Sequence, residues 1–465
     1  MIIKKQQLQL KYALTRSHSF FSFCSYCILF GAINFPAYAV LSATTTELIH
    51  GRAPNILFDG TTPVALKDLL SIDYPLGSTI TPVTTSFEVS TSDTFLDVIP
   101  KVIADSTPRN LADVAQYIDM DGDLPSGAGL TGTIAATWSY KNSNGATVLL
   151  TASDLSKNFS ACNAPYELKI ETSNIGSISA YGLPLENKFP DTTKVYKVTL
   201  PTNAASVCYL QPNIDDNYSG YKPSVWTPSH GFTPQSTNNL ALNFPTTGFD
   251  GAWFNLIIAG IDAQSAGSWS ATVTGGPLTA TATATGSNVV RVNISGPNAT
   301  TGVGAGKFSP ARVKIADSGG HVSYEFEITK WFITKPGNSN GYANAETFCQ
   351  SLGNKPGDYL IPTRADYTNN PHGNPILYPP YNGGEVILNN DLLNGTYTRA
   401  IGEGIFSEWG DTTASYYTNS DWVNNVYWTS EAWSATRNYI VNSANGYIRA
   451  DGTPALLHKI ACRSR

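Results

Sequence analysis

The stretch Leu278-Thr-Ala-Thr-Ala-Thr-Ala-Thr285 alternates an apolar residue with threonine without a break. A period of two puts one set of side chains on each face of an extended strand, and one apolar face marks a half-buried antiparallel strand. The pattern continues downstream. Val290, Val292 and Ile294 alternate with polar residues, as do Val313 and Ile315, then Val322, Tyr324, Phe326 and Ile328. Gly275-Gly276-Pro277, Gly296-Pro297 and Ser318-Gly319-Gly320 separate the runs with turn chemistry.

Several such strands within about 80 residues predict an immunoglobulin-like β-sandwich over 251–330. Residues 40–250 read as a β-rich region. Strands are expected at Ile134–Tyr140, Thr147–Thr151, Tyr166–Ile170 and Lys194–Leu200, with one short helix over Asn110–Ile118. Residues 211–250 are rich in proline, yet Trp226 and Phe232 give them groups to bury, so an ordered connection is expected.

Composition agrees with a strand-rich exported chain. Only 14% of the 465 residues are charged, well under the usual quarter, while 42% are hydrophobic, enough for a packed core. The length suits about three domains. The net charge of −6 is carried by a chain whose first 39 residues hold Lys4, Lys5, Lys11 and Arg16 and no acid, so the remainder is more acidic still. No basic cluster suited to phosphate is present, which argues against a nucleic-acid partner.

The basic start is followed by an apolar run from Phe20 to Phe35 and by Ala37-Tyr38-Ala39. This is the form of a signal peptide, with cleavage expected after Ala39 and no transmembrane span in the mature chain. Cys24 and Cys27 fall inside that leader. Cys162, Cys208, Cys349 and Cys462 remain, an even set in an oxidising compartment, and they separate into two distant pairs, Cys162–Cys208 and Cys349–Cys462. Closing loops of about 45 and about 113 residues removes roughly 4 to 5 kcal/mol of unfolded-state entropy each. A zinc site is the rival reading, but the mature chain has no closely spaced ligand pair.

The last 135 residues differ in style. Tyr342, Ala345, Phe348 with Cys349, and Leu352 share one helical face, closed by Gly353. Thr363-Arg-Ala-Asp366 fits a capping box that opens a second helix. A long polar loop is expected over 370–425. Strands follow at Val426–Thr429, Asn438–Val441 and His458–Cys462, with Asn445-Gly446 as a hairpin turn.

This order resembles the C-type lectin-like fold. Tyr342-Ala-Asn-Ala-Glu-Thr-Phe-Cys349, Tyr359-Leu-Ile-Pro-Thr363, Tyr427-Trp428 and Ile460-Ala-Cys462 carry the resemblance. In that fold the first-helix cysteine bonds to the last-strand cysteine, in agreement with the pairing above. A sandwich running into such a domain resembles the tips of invasin and intimin adhesins. Leu242-Asn-Phe-Pro-Thr-Thr-Gly248 is similar to enterobacterial adhesion-domain proteins. The resemblance implies a mainly β protein with immunoglobulin-like modules followed by an α+β lectin-like domain at 331–465. It implies an exported, non-enzymatic adhesin, at the cell surface or secreted via the periplasm, holding a host-cell or cell-surface receptor, protein or glycan. The strand series of an outer-membrane barrel is not expected within this chain. The Glu-Pro-Asn, Gln-Pro-Asp and Trp-Asn-Asp motifs of calcium-dependent lectins are absent from 331–465, so a calcium-bridged sugar site is not expected.

Receptor-binding candidates lie in the expected long loop: Trp409, Asp411, Tyr416, Tyr417, Asp421 and Trp422. Aromatic faces stack on sugars or anchor protein contacts, and aspartates accept hydrogen bonds. The bland reading is that these aromatics pack the loop on its own core, and it is preferred for Trp428 and Trp433. Asp119, Asp121 and Asp123 alternate as calcium ligands can, although the glycine and glutamate of an EF-hand are replaced by Leu124 and Leu130, and an acidic turn is the preferred reading. Gly337-Asn-Ser-Asn-Gly341 matches a nucleophile motif by letter, with His372 and His458 downstream, but such an elbow needs a parallel α/β sheet. No catalytic residue and no cofactor is expected. The rival enzymatic class is a formylglycine-generating-enzyme-like protein, which shares the lectin-like topology and needs reactive cysteines. A structural subunit of a surface assembly is the third class.

Overall fold

A computed structural model describes residues 51–58, 62–63, 65–142, 145–201, 204–214, 220–370, 396–452 and 456–465, all within one compact unit, His50–Arg465. The expected leader, with Cys24, Cys27 and the cleavage point, lies outside the described residues, as does His372.

The fold is mainly β. Its first body is built on a sheet ordered Thr147–Leu149, Pro125–Lys141, Tyr166–Ser179, Thr192–Thr199 and Ser86–Glu88, the last pair parallel. Alternate residues Ile134, Ala136 and Trp138 lie beside Leu168, Ile170, Tyr196 and Val198 on one buried face of this sheet. The expected strands are present: two run well beyond their apolar stretches, at Pro125–Lys141 and Tyr166–Ser179, while the one expected over 147–151 is only Thr147–Leu149. The expected helix over 110–118 is only Leu111–Val114, because Ala115 turns to extended backbone and Gln116–Ile118 pairs with Asn55–Phe58.

The second body is a two-sheet sandwich. One sheet runs Trp226–Thr227, Gly231–Phe232, Ser206–Gln211, Ala252–Ala259, Val289–Ser295 and Thr279–Gly286. The other runs Trp269–Gly275, Ala311–Asp317 and Ser323–Ile328. The alternating residues meet between the sheets: Phe254, Leu256, Ile258, Val290, Val292 and Ile294 oppose Val313, Ile315, Tyr324, Phe326 and Ile328, all buried. Trp226 and Phe232 are buried as well, and in its described part the proline-rich connection contributes strands Trp226–Thr227 and Gly231–Phe232 at the edge of that sheet.

Beyond the sandwich, Lys330–Thr334 lies between Thr247–Phe249 and Ala461–Ser464, with Tyr359–Leu360 at the end of that sheet. The helix Tyr342–Ser351 forms where its face predicts. Thr363 and Asp366 make the capping box reciprocally. The final strand is Ala461–Ser464 rather than 458–462; His458 bridges Asn340, and Lys459 bridges Tyr427. The expected long loop is structured in its described part, with strand Thr398–Arg399 and helix Ile405–Trp409. Three strands, Val426–Ser434, Arg437–Asn442 and Ile448–Gly452, complete the region. Gly446 takes φ +69° at the turn, where a Cβ would meet Thr368 Oγ1 at 2.5 Å.

One buried cluster runs without interruption from Leu210 to Cys462, so sandwich and C-terminal region share a core. Two disulfides brace the molecule. Cys349–Cys462 ties the helix to the last strand. Cys162–Cys208 ties the turn Ala161–Asn163, beside the first core, to strand Ser206–Gln211 of the second. Among the described residues, no helix is long and apolar enough to cross a membrane.

Candidate functional site

The helix Ile405–Trp409 is buried on every side, and this decides the fate of the aromatic candidates. Trp409 is fully buried against Phe244 and Phe249, and its Nε1 donates to Thr247 O at 3.0 Å. Tyr417 is fully buried; its hydroxyl donates to Trp409 O at 2.8 Å and accepts from Asn213 N at 2.9 Å. Burial pushes its ionisation far up, so it stays neutral. Trp422 is 1% exposed, set between Phe406 and Tyr427. The expectation of surface contact through Trp409, Tyr417 and Trp422 is thus corrected: aromatic area of this size gains more from packing on Phe244, Phe249 and Phe406 than from water.

The polar candidates lie further out. Tyr416 is 37% exposed. Asp411 is half-buried, and its Oδ1 accepts from Thr413 N at 2.9 Å. Asp421 is exposed; partial burial and the nearby Asp250 carboxylate both push its carboxyl up. The stretch from Ala414 to Asn425 thus alternates buried anchors with an exposed polar face. Gly251, at φ +83°, lets Asn419 approach: a Cβ there would lie 2.5 Å from Asn419 O.

Beneath this face sits a feature with no periodic signature in the sequence. Glu408 is fully buried. Its carboxylate accepts from the amides and hydroxyls of Thr246 and Thr247 and from Gly402 N at 2.6 to 3.1 Å. Burial pushes the carboxyl up, and these donors oppose the push. Arg399, also fully buried, donates to Glu408 O at 3.1 Å and stacks over Trp226 at 4.5 Å. Thr246 and Thr247 of the Leu242–Gly248 motif therefore form one side of a polar clamp on the helix Ile405–Trp409.

Of the two tryptophans read as core, Trp428 is buried, and its Nε1 donates to Asn340 O at 2.8 Å. Trp433 is exposed instead, which corrects that reading. The carboxylates of the acidic turn serve backbone amides: Asp119 accepts from Asp121 N at 2.8 Å, and Asp121 from Arg52 N. Among the described residues no group of three His, Cys, Asp or Glu is placed to hold a metal ion. In the Gly337–Gly341 motif, Asn340 pairs with His458 through backbone hydrogen bonds, and the strand before it, Lys330–Thr334, lies in a mixed sheet, parallel to Thr247–Phe249 and antiparallel to Ala461–Ser464.

No family model matches the chain. It is 26% identical over 214 residues to the inverse autotransporter adhesin YeeJ of Escherichia coli strain K12, a match that covers 44% of this chain and 7% of that protein. The chain therefore spans a small fraction of the relative's length. Among solved structures it aligns with invasin, a bacterial integrin-binding protein, at TM-score 0.35 and 13% identity, over 83% of this chain and 62% of invasin. It aligns with an intimin mutant of EHEC O157:H7 at TM-score 0.26 and 12% identity, over 52% and 93%. The chain is mainly β and related in sequence, over part of its length, to an inverse autotransporter adhesin.

Proposed function

We propose that this chain is an exported, non-enzymatic adhesin that holds a receptor on a host or neighbouring cell through the exposed surface of its C-terminal region. The observation that carries the reading is the sequence match to an adhesin over 214 residues. The bracing of the fold supports it. A protein that must hold a partner under load benefits from cross-linked elements and a shared core, whereas turnover calls for an accessible reactive group. Cys349 and Cys462, the thiols a formylglycine-generating enzyme would need, are spent in a disulfide. The same bridge, joining the helix Tyr342–Ser351 to the last strand, supports a lectin-like organisation of 331–465. Paired cysteines and the leader pattern support export through the periplasm.

Tyr416 and Asp421, with Asp411 behind them, are the receptor contacts of this reading, and the partner is a protein or a glycan. The test uses the intact chain, because removing 331–465 would strip the cover from Phe249, Phe254 and Glu408's partners Thr246 and Thr247. Tyr416→Ala with Asp421→Asn is expected to weaken binding of purified protein to cultured epithelial cells with no change in melting temperature. Unchanged binding removes these residues from the interface. Absence of binding by the unmutated chain to any cell type tried, or to a glycan array, removes the adhesive reading itself.

A further inference from the structure

Of the nine tryptophans, six are among the most deeply buried side chains of the molecule and Trp253 and Trp269 are half-buried. Trp433 stands apart at 41% exposed. It lies near the tip of the hairpin formed by Val426–Ser434 and Arg437–Asn442. The strand register shows what holds it there. Ala432 faces Asn438 and Ser434 faces Arg437, so one strand carries an extra residue, and that residue is Trp433. A second register shift lies between Trp428 and Ala432. Bulges bend and twist a strand and re-aim the side chain at the insertion. Trp428 lies inside the core and Trp433 outside it.

The Arg437 guanidinium lies 5.8 Å from the Trp433 ring centroid and makes no ion pair among the described residues. Ala432, Ala435 and Thr436 around it are small and exposed, so the tip leaves much of the indole open to solvent. An acidic chain thus presents one local cation beside one large exposed ring.

We propose that this hairpin tip is a docking point for a receptor protein whose surface offers an apolar cleft edged by carboxylate. The indole fills the cleft and its N–H finds an acceptor there. The guanidinium, already oriented over the ring, pairs with the carboxylate at the rim. Tryptophan and arginine are the side chains on which interface energy concentrates. Charge argues for the class of rim: a guanidinium that makes no ion pair among the described residues selects an anionic rim, which neutral sugars lack, and the trypsin and glycosidase arms below separate a protein rim from an acidic glycan. The proposal rests on the adhesive reading above and names the chemistry of the partner.

The experiment measures binding of the full chain to cultured epithelial cells, untreated, trypsin-shaved or glycosidase-treated. Trp433→Ala and Arg437→Glu are each expected to weaken binding about thirtyfold at unchanged melting temperature, with Arg437→Lys retaining part of it. Trypsin shaving is expected to abolish binding and glycosidase treatment to leave it. Unchanged binding by Trp433→Ala overturns the docking point while leaving the adhesive reading intact. Loss after glycosidase but not after trypsin overturns the protein partner in favour of a glycan. If the unmutated chain binds no cells, the adhesive reading fails, and the proposal with it.

Discussion

Glu408 Oε2 lies 2.6 Å from the hydroxyl and 2.8 Å from the amide of Thr247, a residue 161 positions earlier in the chain. A fully buried carboxylate saturated by donors from another segment is a point of registration. It fixes where the C-terminal region sits on the sandwich, because any shift leaves several buried donors and a charge unpaired.

Removing that carboxylate should therefore be severe. Glu408→Ala is expected to cost about 3 to 5 kcal/mol, since Thr246, Thr247 and Gly402 lose a buried acceptor together. Glu408→Gln keeps the volume and one acceptor oxygen and should cost less. Urea unfolding followed by tryptophan fluorescence checks both. A loss under 1 kcal/mol for Glu408→Ala contradicts the clamp.

Asp366 sets a pH dependence. Burial pushes its carboxyl up, but hydrogen bonds and charge from Lys330, with the Thr363 amide and Arg463, outweigh that and hold it below the ordinary carboxylate range. A depressed carboxyl stabilises the fold above its unfolded value of about 3.9, and that contribution fades as pH falls through the folded value. Asp366→Asn should thus be destabilising at pH 7, by about 3 kcal/mol for a buried pair, with the gap from the unmutated chain closing below pH 4. Urea midpoints at pH 7 and pH 3 measure it, and a gap independent of pH speaks against the assignment.

The two disulfides should fail differently. Cys162→Ser with Cys208→Ser severs the covalent link between the two cores and should separate their unfolding into two transitions. Cys349→Ser with Cys462→Ser should lower the stability of the second core alone, by about 2 to 5 kcal/mol. Calorimetry of the two variants distinguishes them. One shared transition in the first variant contradicts the bracing role.

The buried and exposed aromatics should separate by measurement. Trp409→Ala and Trp422→Ala should each cost about 3 to 5 kcal/mol, as deletions of fully packed rings do. Tyr416→Ala should change stability by about 0.5 kcal/mol or less. Acrylamide should quench a small red-shifted fraction of the fluorescence, and that fraction should vanish in Trp433→Phe.

The strands were legible because alternation with one buried face is a local signal: Val290, Val292 and Ile294 point inward as their spacing requires. The capping box at Thr363 and the cysteine pairs were legible for similar reasons of fixed spacing and even count. The aromatic assignments were not. Trp409 and Trp422 occur in a Gly-, Asp- and Thr-rich stretch with no period, and their burial depends on Phe244, Phe249 and Phe332 far upstream. Trp433 reads as the continuation of a strand, but it sits at an exposed hairpin tip beyond the reach of the core that buries Trp428. Glu408 looked like any loop acid, because its partners are supplied by tertiary structure. Strand Ser206–Gln211 belongs to the sandwich although it precedes the clean alternation by many residues.

Holding a partner is the claim on which the rest depends. Labelled protein titrated onto epithelial cells measures it directly. Saturable binding, displaced by excess unlabelled protein and lost on heat unfolding, is the expected result. Linear, non-displaceable uptake equal to that of the unfolded chain contradicts it.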